Sequence, residues 1–225
     1  MSKVAFFDLD NTLIRGSSLA LLAGGLVSRG LLPKTDMVRY LLHNLRYIYS
    51  KSEKLNVIEK LAPAALGLLS GHKEEEINKI CGEIVQERLK SRIYTSVTDF
   101  ISQHQQHGID TWLVTASPIE LARPIAMSLG MTGALGTICE VRDGAYSGEL
   151  LSPILHGRLK AAAAMRICER EGYNHYRSFA YSDSISDLPL LAAVGSPTVV
   201  NPNSQLLAIA KKNNWNIHFP TKVAA

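Results

Sequence analysis

Cysteine is scarce in this chain. Only Cys81, Cys139 and Cys168 occur, odd in number and far apart. That spacing excludes a disulfide framework, a paired-thiol zinc site and a dithiol redox motif; three reduced thiols of a cytoplasmic protein are expected. Charge of one sign is also in short supply. The formal net charge is +4, and no Lys/Arg block is interleaved with aromatics. A nucleic-acid partner is thereby excluded, whereas a mild positive balance suits an anionic substrate. Long apolar runs are missing too. The nearest, Ser17 to Leu32, is broken by Arg29 and several glycines, so stable membrane insertion is excluded. The start, Met-Ser-Lys-Val-Ala-Phe-Phe, does not have the basic, apolar, small-residue order of a signal peptide, and a cytoplasmic location is the expectation. No repeat or low-complexity segment is found, and the oligomeric state is not legible.

What the 225 residues do contain is enough for one α/β domain with an insertion. Val4 to Leu9 is a nearly continuous apolar run ending in a polar turn, as buried parallel strands read. Asp110 to Thr115, Arg177 to Ser182 and Pro197 to Asn201 read alike, and Trp215 to Phe219 suits a last edge strand. Helical patterns lie between them, from Ser117 to near Gly130, from about Gly157 to Gly172, and from about Ser186 to Gly195. Ser117, Pro118 and Glu120 give the first of these a capping-box start. Asp143-Gly144 predicts a tight hairpin within Val141 to Gly148. The fold class is therefore α/β, a Rossmann-like parallel sheet with helices on both faces.

Residues 16–90 break the alternation. Helical stripes run through Met37–Tyr49 and Leu55–Leu69, and Glu74 to Lys90 is charged and helical. Asn44–Lys51 puts bases and tyrosines on one helix, the pattern of a solvated face packed on a core. The expected division is a core of 1–15 and 91–225 with a helical cap of 16–90 inserted after the first strand.

In open parallel sheets ligands bind beyond the carboxyl ends of the strands. Asp8 and Asp10 end the first predicted strand, Thr115 the second and Asp183 a later one, while Lys160 opens a helix. Three crowded carboxylates repel one another, and a hard divalent cation such as Mg2+ relieves that repulsion. A hydroxyl and an ammonium would complete a phosphate cradle. Singly, each residue has an ordinary reading. Asp-x-Asp is a common turn, Asp183 and Asp187 suit helix capping, Thr115 a strand, and Lys160 a solvated helix face. Their joint order and placement carry the argument.

Four motifs resemble the haloacid dehalogenase superfamily, in the branch that includes phosphoserine phosphatases. They are Phe6-Phe7-Asp8-Leu9-Asp10-Asn11-Thr12-Leu13, Trp112-Leu113-Val114-Thr115-Ala116-Ser117, Lys160 in Gly157-Arg158-Leu159-Lys160, and Tyr181-Ser182-Asp183-Ser184-Ile185-Ser186-Asp187. The resemblance spans Val4 to Phe219 and implies a Mg2+-dependent phosphomonoester hydrolase. Asp8 would be the nucleophile. Asp10 would protonate the leaving oxygen and then activate water. Asp8, Asp183 and the Asp10 carbonyl would bind the metal. Thr115 and Lys160 would hold phosphate with Asn11, Ala116 and Ser117, and Arg15, Ser17, Ser18 and the cap would choose the leaving group of a small-molecule phosphate monoester. Asp187 and Ser184 would support Lys160 or a metal-bound water. The chain departs from the branch at Ser17, where a glutamate binds the substrate amine, and at Ala116 and Ser117, where two glycines are usual. A mutase-type phosphotransferase or a lysophospholipid-type phosphatase would use the same intermediate. A dehalogenase has no use for Asp10, and a binding module has no use for the intact set.

Overall fold

The computed structural model of the chain describes residues 2–31 and 70–221. The stripes expected at Met37–Tyr49 and Leu55–Leu69, and the basic segment Asn44–Lys51, lie outside the described residues. The first strand, β1 (Val4–Phe7), is buried on both faces. It pairs in parallel with β2 (Asp110–Pro118) on one side and with β6 (Phe179–Ser182) on the other. Beyond β2 lies β3 (Gly133–Thr137), and beyond β6 lie β7 (Ser196–Val200) and β8 (Asn216–His218). The strand order is β3-β2-β1-β6-β7-β8 and every pairing is parallel.

Side chains of β1 alternate between two cores, as a period of two requires. Ala5 and Phe7 join one hydrophobic cluster with α3 (Thr95–Gln106) and α4 (Ile119–Ser128). Val4 and Phe6 join the other with α5 (Arg158–Glu171), α6 (Leu188–Ala193) and α7 (Ser204–Lys212). This is the expected α/β sheet with helices on both faces. Two more helices, α1 (Ser18–Ser28) and α2 (Glu74–Arg88), continue the first cluster through Leu21, Leu22, Leu26, Ile77, Ile84 and Val85. Among the described residues no helix is long and apolar enough to cross a membrane.

The hairpin forms where Asp143-Gly144 marks it. The strands β4 (Cys139–Arg142) and β5 (Ala145–Leu150) are joined by that pair, both at positive φ (52° and 77°), the backbone of a type I′ turn. Its outer edge binds the chain entering α2: Tyr146 N–H donates to the His72 carbonyl at 3.0 Å and Gly71 N–H to the Tyr146 carbonyl at 2.9 Å. The helix α5 is bracketed by glycines as expected. Gly157 (φ 54°, ψ −120°) precedes it and Gly172, left-handed, ends it.

Two expectations change. Ser117 does not cap α4. The strand β2 runs on through Pro118 and the helix starts at Ile119, with no side-chain cap. A residue before proline is pushed into extended backbone, which keeps Ser117 in the strand, and its hydroxyl is engaged by Ser18 instead. Glu120 is buried and faces Tyr146 instead of closing a capping box. The strand β3, Gly-Ala-Leu-Gly-Thr, had no sequence signal. Glycine is required in it by neighbours: a Cβ on Gly133 would stand 2.7 Å from the Trp112 ring, and one on Gly136 2.8 Å from the Ser117 carbonyl oxygen.

Candidate active site

The strand β1 is the point from which the chain departs in opposite directions, to β2 and to β6, so a crevice opens beyond its carboxyl end. Asp8 stands there, its N–H still donating to the Tyr181 carbonyl at 2.9 Å. After it the chain makes one tight turn, with Leu13 N–H to the Leu9 carbonyl at 2.9 Å. Asn11 sits at φ 56° and its Oδ1 accepts from Gly16 N–H at 3.1 Å, closing the loop. That turn returns Thr12 to Asp8: the Thr12 hydroxyl donates to Asp8 Oδ2 at 3.1 Å and accepts from Asp183 N–H at 2.9 Å.

Lys160 arrives from the first turn of α5. It is 3% exposed, and its Nζ lies 2.7 Å from Asp8 Oδ1 and 2.7 Å from Asp187 Oδ2. Ser182, at the end of β6, also donates to Asp187 Oδ2 at 2.7 Å. Ser184 closes the next turn, accepting from Ser186 N–H at 3.3 Å. So Asp187 does not cap the following helix. Its carboxylate is turned inward to the ammonium, and Lys160 is not a solvated helix lysine. Burial alone would lower the Lys160 ammonium, but Asp8 and Asp187 outweigh it and hold the group above its ordinary range. Burial lifts the Asp8 carboxyl to about 6 against the pull of Lys160, with Asp187 and Asp10 pushing the same way. At neutral pH the bridge is therefore ionised, and Asp8 is a desolvated, electron-rich carboxylate.

A second hydrogen-bonded group begins at Asp10. Its Oδ1 accepts from Ser18 N–H at 2.8 Å. Ser18 Oγ lies 2.5 Å from Ser117 Oγ, and Ser117 N–H donates to Thr115 Oγ1 at 3.1 Å. Burial raises the Asp10 carboxyl, opposed by the hydroxyl and N–H of Ser18 and by the charge of Lys160. A carboxyl raised in this way is a better proton donor near neutrality than a solvated one.

The sequence-selected residues thus separate. Lys160 joins Asp8 to Asp187 and Thr12 joins Asp8 to the Asp183 backbone; Ser18 links Asp10 to Ser117, which bonds Thr115. Asn11, Ala116, Arg15 and Ser17 make hydrogen bonds outside both groups. The Ala116 carbonyl accepts from Thr137 at 2.6 Å, Arg15 N–H donates to the Arg92 carbonyl at 2.7 Å, and Ser17 caps α1 through Ala20 N–H at 3.4 Å. Thr12 and Ser182 were not singled out from sequence as site residues, and Ser18, expected beside the leaving group, is instead bonded to Asp10 and Ser117. Both had a signal, Thr12 in the motif that runs to Leu13 and Ser182 in the motif that runs from Tyr181 to Asp187, but only the fold shows what their hydroxyls bind.

Among the described residues no three His, Cys, Asp or Glu side chains form a metal cage. The residues that could hold a hard cation are the oxygen donors expected from the motifs, the Asp8 and Asp183 carboxylates and the Asp10 carbonyl. The buried Oδ1 of Asp187 has no hydrogen-bond partner among the described residues, as suits an oxygen that accepts from a metal-bound water.

Known proteins are similar to this chain in sequence and fold. The haloacid dehalogenase-like hydrolase family matches residues 5–192. A phosphoserine phosphatase of Mycobacterium tuberculosis is 36% identical over 217 residues, covering 96% of this chain and 70% of that protein. A histidinol-phosphatase of Neisseria meningitidis is 28% identical over 221 residues, covering 96% and 98%. A Bordetella pertussis protein of unknown function has the same fold, with a TM-score of 0.83 at 27% identity over 97% of this chain and 98% of that one. The chain belongs to the haloacid dehalogenase-like hydrolases and is an enzyme of that family, with phosphatases among its named relatives.

Proposed function

We propose that this chain hydrolyses small phosphate monoesters through an aspartyl-phosphate on Asp8. The observation that carries the reading is the buried Lys160 ammonium held 2.7 Å from both Asp8 and Asp187, a positive charge fixed where a phosphoryl group would meet the nucleophile. In the first half-reaction an Asp8 oxygen attacks phosphorus, the phosphorus–ester oxygen bond breaks, and Asp10 gives its proton to the departing alkoxide. In the second, water attacks the phosphorus of the acyl phosphate and gives its proton to Asp10. The bond to Asp8 breaks, leaving inorganic phosphate and the starting protonation states. Thr115, Ser117 and Lys160 donate to the phosphoryl oxygens, and Thr12 orients Asp8. Mg2+, held by Asp8, Asp183 and the Asp10 carbonyl, would neutralise charge on those oxygens.

The cap of 16–90, with Arg15 and Ser17 at its root, is the proposed selector of the leaving group. The relatives named for phosphoserine and histidinol phosphate point to small alkyl phosphates bearing an amine as the first candidates. A cytoplasmic setting agrees with three buried free thiols, Cys81, Cys139 and Cys168. Phosphate release from a panel of monoesters containing both candidates, with and without magnesium, tests the reading. Asp8→Asn serves as the blank; it is expected to stay folded and to lose all turnover, and turnover in that variant would end the proposal.

A further inference from the structure

Asp10 is useful as a proton donor only if its carboxyl is held toward the ester oxygen instead of rotating into the crevice. The nucleophile has its own support in Thr12 and Lys160, and neither of those hydrogen bonds reaches Asp10. What reaches it is Ser18. This serine is 0% exposed although it opens a helix, and a buried hydroxyl must be matched by partners. Its N–H donates to Asp10 Oδ1 at 2.8 Å. Its hydroxyl meets Ser117 Oγ at 2.5 Å, and the Ser117 N–H is in turn fixed on Thr115 Oγ1 at 3.1 Å. Ser117 and Thr115 belong to β2, the strand that pairs with β1 in register, Phe7 beside Leu113. The first turn of α1 is thus pinned to the sheet by two serine hydroxyls, and Asp10 is pinned to that turn.

We propose that Ser18 is a positioning residue for Asp10, and that the Ser18–Ser117 hydroxyl pair couples the proton-donating carboxyl to the strand that binds the phosphoryl group. A hydroxyl suits this post because it donates to a carboxylate and accepts from a carboxylic acid, so one residue serves Asp10 in both half-reactions. The inference rests on the reading of Asp10 as proton donor and extends it to a residue that touches neither phosphate nor metal.

Leaving-group dependence tests it. An alkyl phosphate needs the proton; 2,4-dinitrophenyl phosphate, whose phenolate leaves unaided, does not. Loss of a general acid costs about 10²–10⁴-fold where it is needed. Ser18→Ala keeps the N–H and removes the hydroxyl. It is expected to lower kcat/KM for the alkyl ester by about tenfold or more, part of that general-acid range, and to change that for dinitrophenyl phosphate by less than about threefold, with the thermal transition retained. Ser18→Thr, which restores a hydroxyl at the same post, should recover most of the alkyl-ester activity, and in the double variant adding Ser18→Ala to Asp10→Asn should bring no further fall, because Ser18 acts through that carboxyl. An equal fall on both esters, no fall on either, or full additivity in the double variant would overturn the proposal. Asp10→Asn separates the two levels: it must show the split at full size, and if it shows none the proton-donor reading fails first. If Ser18→Ala does not fold, Ser18→Cys, close in volume but only a weak hydrogen-bonding group, decides by the same criterion.

Discussion

Replacing Lys160 by methionine tests the centre of the site, because it keeps the length of the side chain and removes only the charge. Lys160 is 3% exposed and touches two carboxylates at 2.7 Å. Removing one partner from a buried ion pair costs about 3–5 kcal/mol, since the other partner is left uncompensated. Here two carboxylates, Asp8 and Asp187, lose the same cation. Asp8 already stands at about 6 with the ammonium present, so without it the carboxyl moves higher still. A folded-state acid whose value is raised binds its proton before the unfolded chain does, and stability then rises as pH falls through the folded value. The variant should therefore be about 3–5 kcal/mol less stable than the wild type at pH 8 and should recover part of that deficit by pH 6. Urea unfolding followed by circular dichroism at both pH values measures this. Adding Asp8→Asn and Asp187→Asn to Lys160→Met removes the stranded charges and should restore most of the loss. Turnover should fall about 10²–10³-fold, the scale for deleting one preorganised donor. A Lys160→Met protein as stable as the wild type at pH 8, or a deficit indifferent to pH, would refute the geometry argued here.

Two further outcomes concern the scaffold. Gly195→Ala should cost about 3 kcal/mol, the upper end of overpacking, because its Cβ would collide with the Tyr176 carbonyl, standing 2.6 Å from the carbonyl carbon; Gly82→Ala, inside α2 with nothing within 4 Å, should instead gain about 0.5–1 kcal/mol, and thermal unfolding of the pair reads both signs. His104 is buried against Phe7, Phe179 and Tyr181, and its imidazole is lowered to about 4, chiefly by burial with His107 adding. Its neutral form is the folded one, so its contribution is complete above about 6.5. That contribution declines as pH falls toward 4, by about 2 kcal/mol by pH 5, and His104→Phe should flatten that part of the stability curve.

Local chemistry was legible wherever a turn or a helix end fixes the backbone by itself. Asp143-Gly144 specifies its hairpin and Gly157 and Gly172 bracket α5 because only a few residue types accept those φ values. Val4 to Phe7 reads as a buried strand since all four positions are apolar and both faces are covered. Where tertiary contact decides, local reading failed. The start of α4 was misplaced because Ser117 has a good capping side chain that another element claims. The strand β3 was missed because its glycines record the closeness of Trp112 and of the β2 backbone, not a strand preference of their own. The docking of residues 70–74 on the hairpin joins segments some seventy residues apart, and no periodicity reports such a pairing.

Lys160 shows the same division inside one residue. Taken alone, a lysine before four alanines belongs on a wet helix face. Yet the buried side of α5 is Lys160, Ala161, Ala164, Ile167 and Cys168, a stripe at helical spacing. The lysine sits in register with the residues that meet the sheet, one turn before Ala164. A charge on the apolar stripe of a helix must either be solvated at its end or be neutralised by partners, and where the first turn of a helix lies beside the carboxyl ends of parallel strands the partners available are the groups at those ends. Asp8 ends β1, and Asp187 follows the end of β6. The small side chains of Ala161 and Ala164 let α5 approach the sheet closely enough for the ammonium to reach both. Read this way, the alanines and the lysine are one device: the packing that draws the helix down is what delivers the charge to the nucleophile.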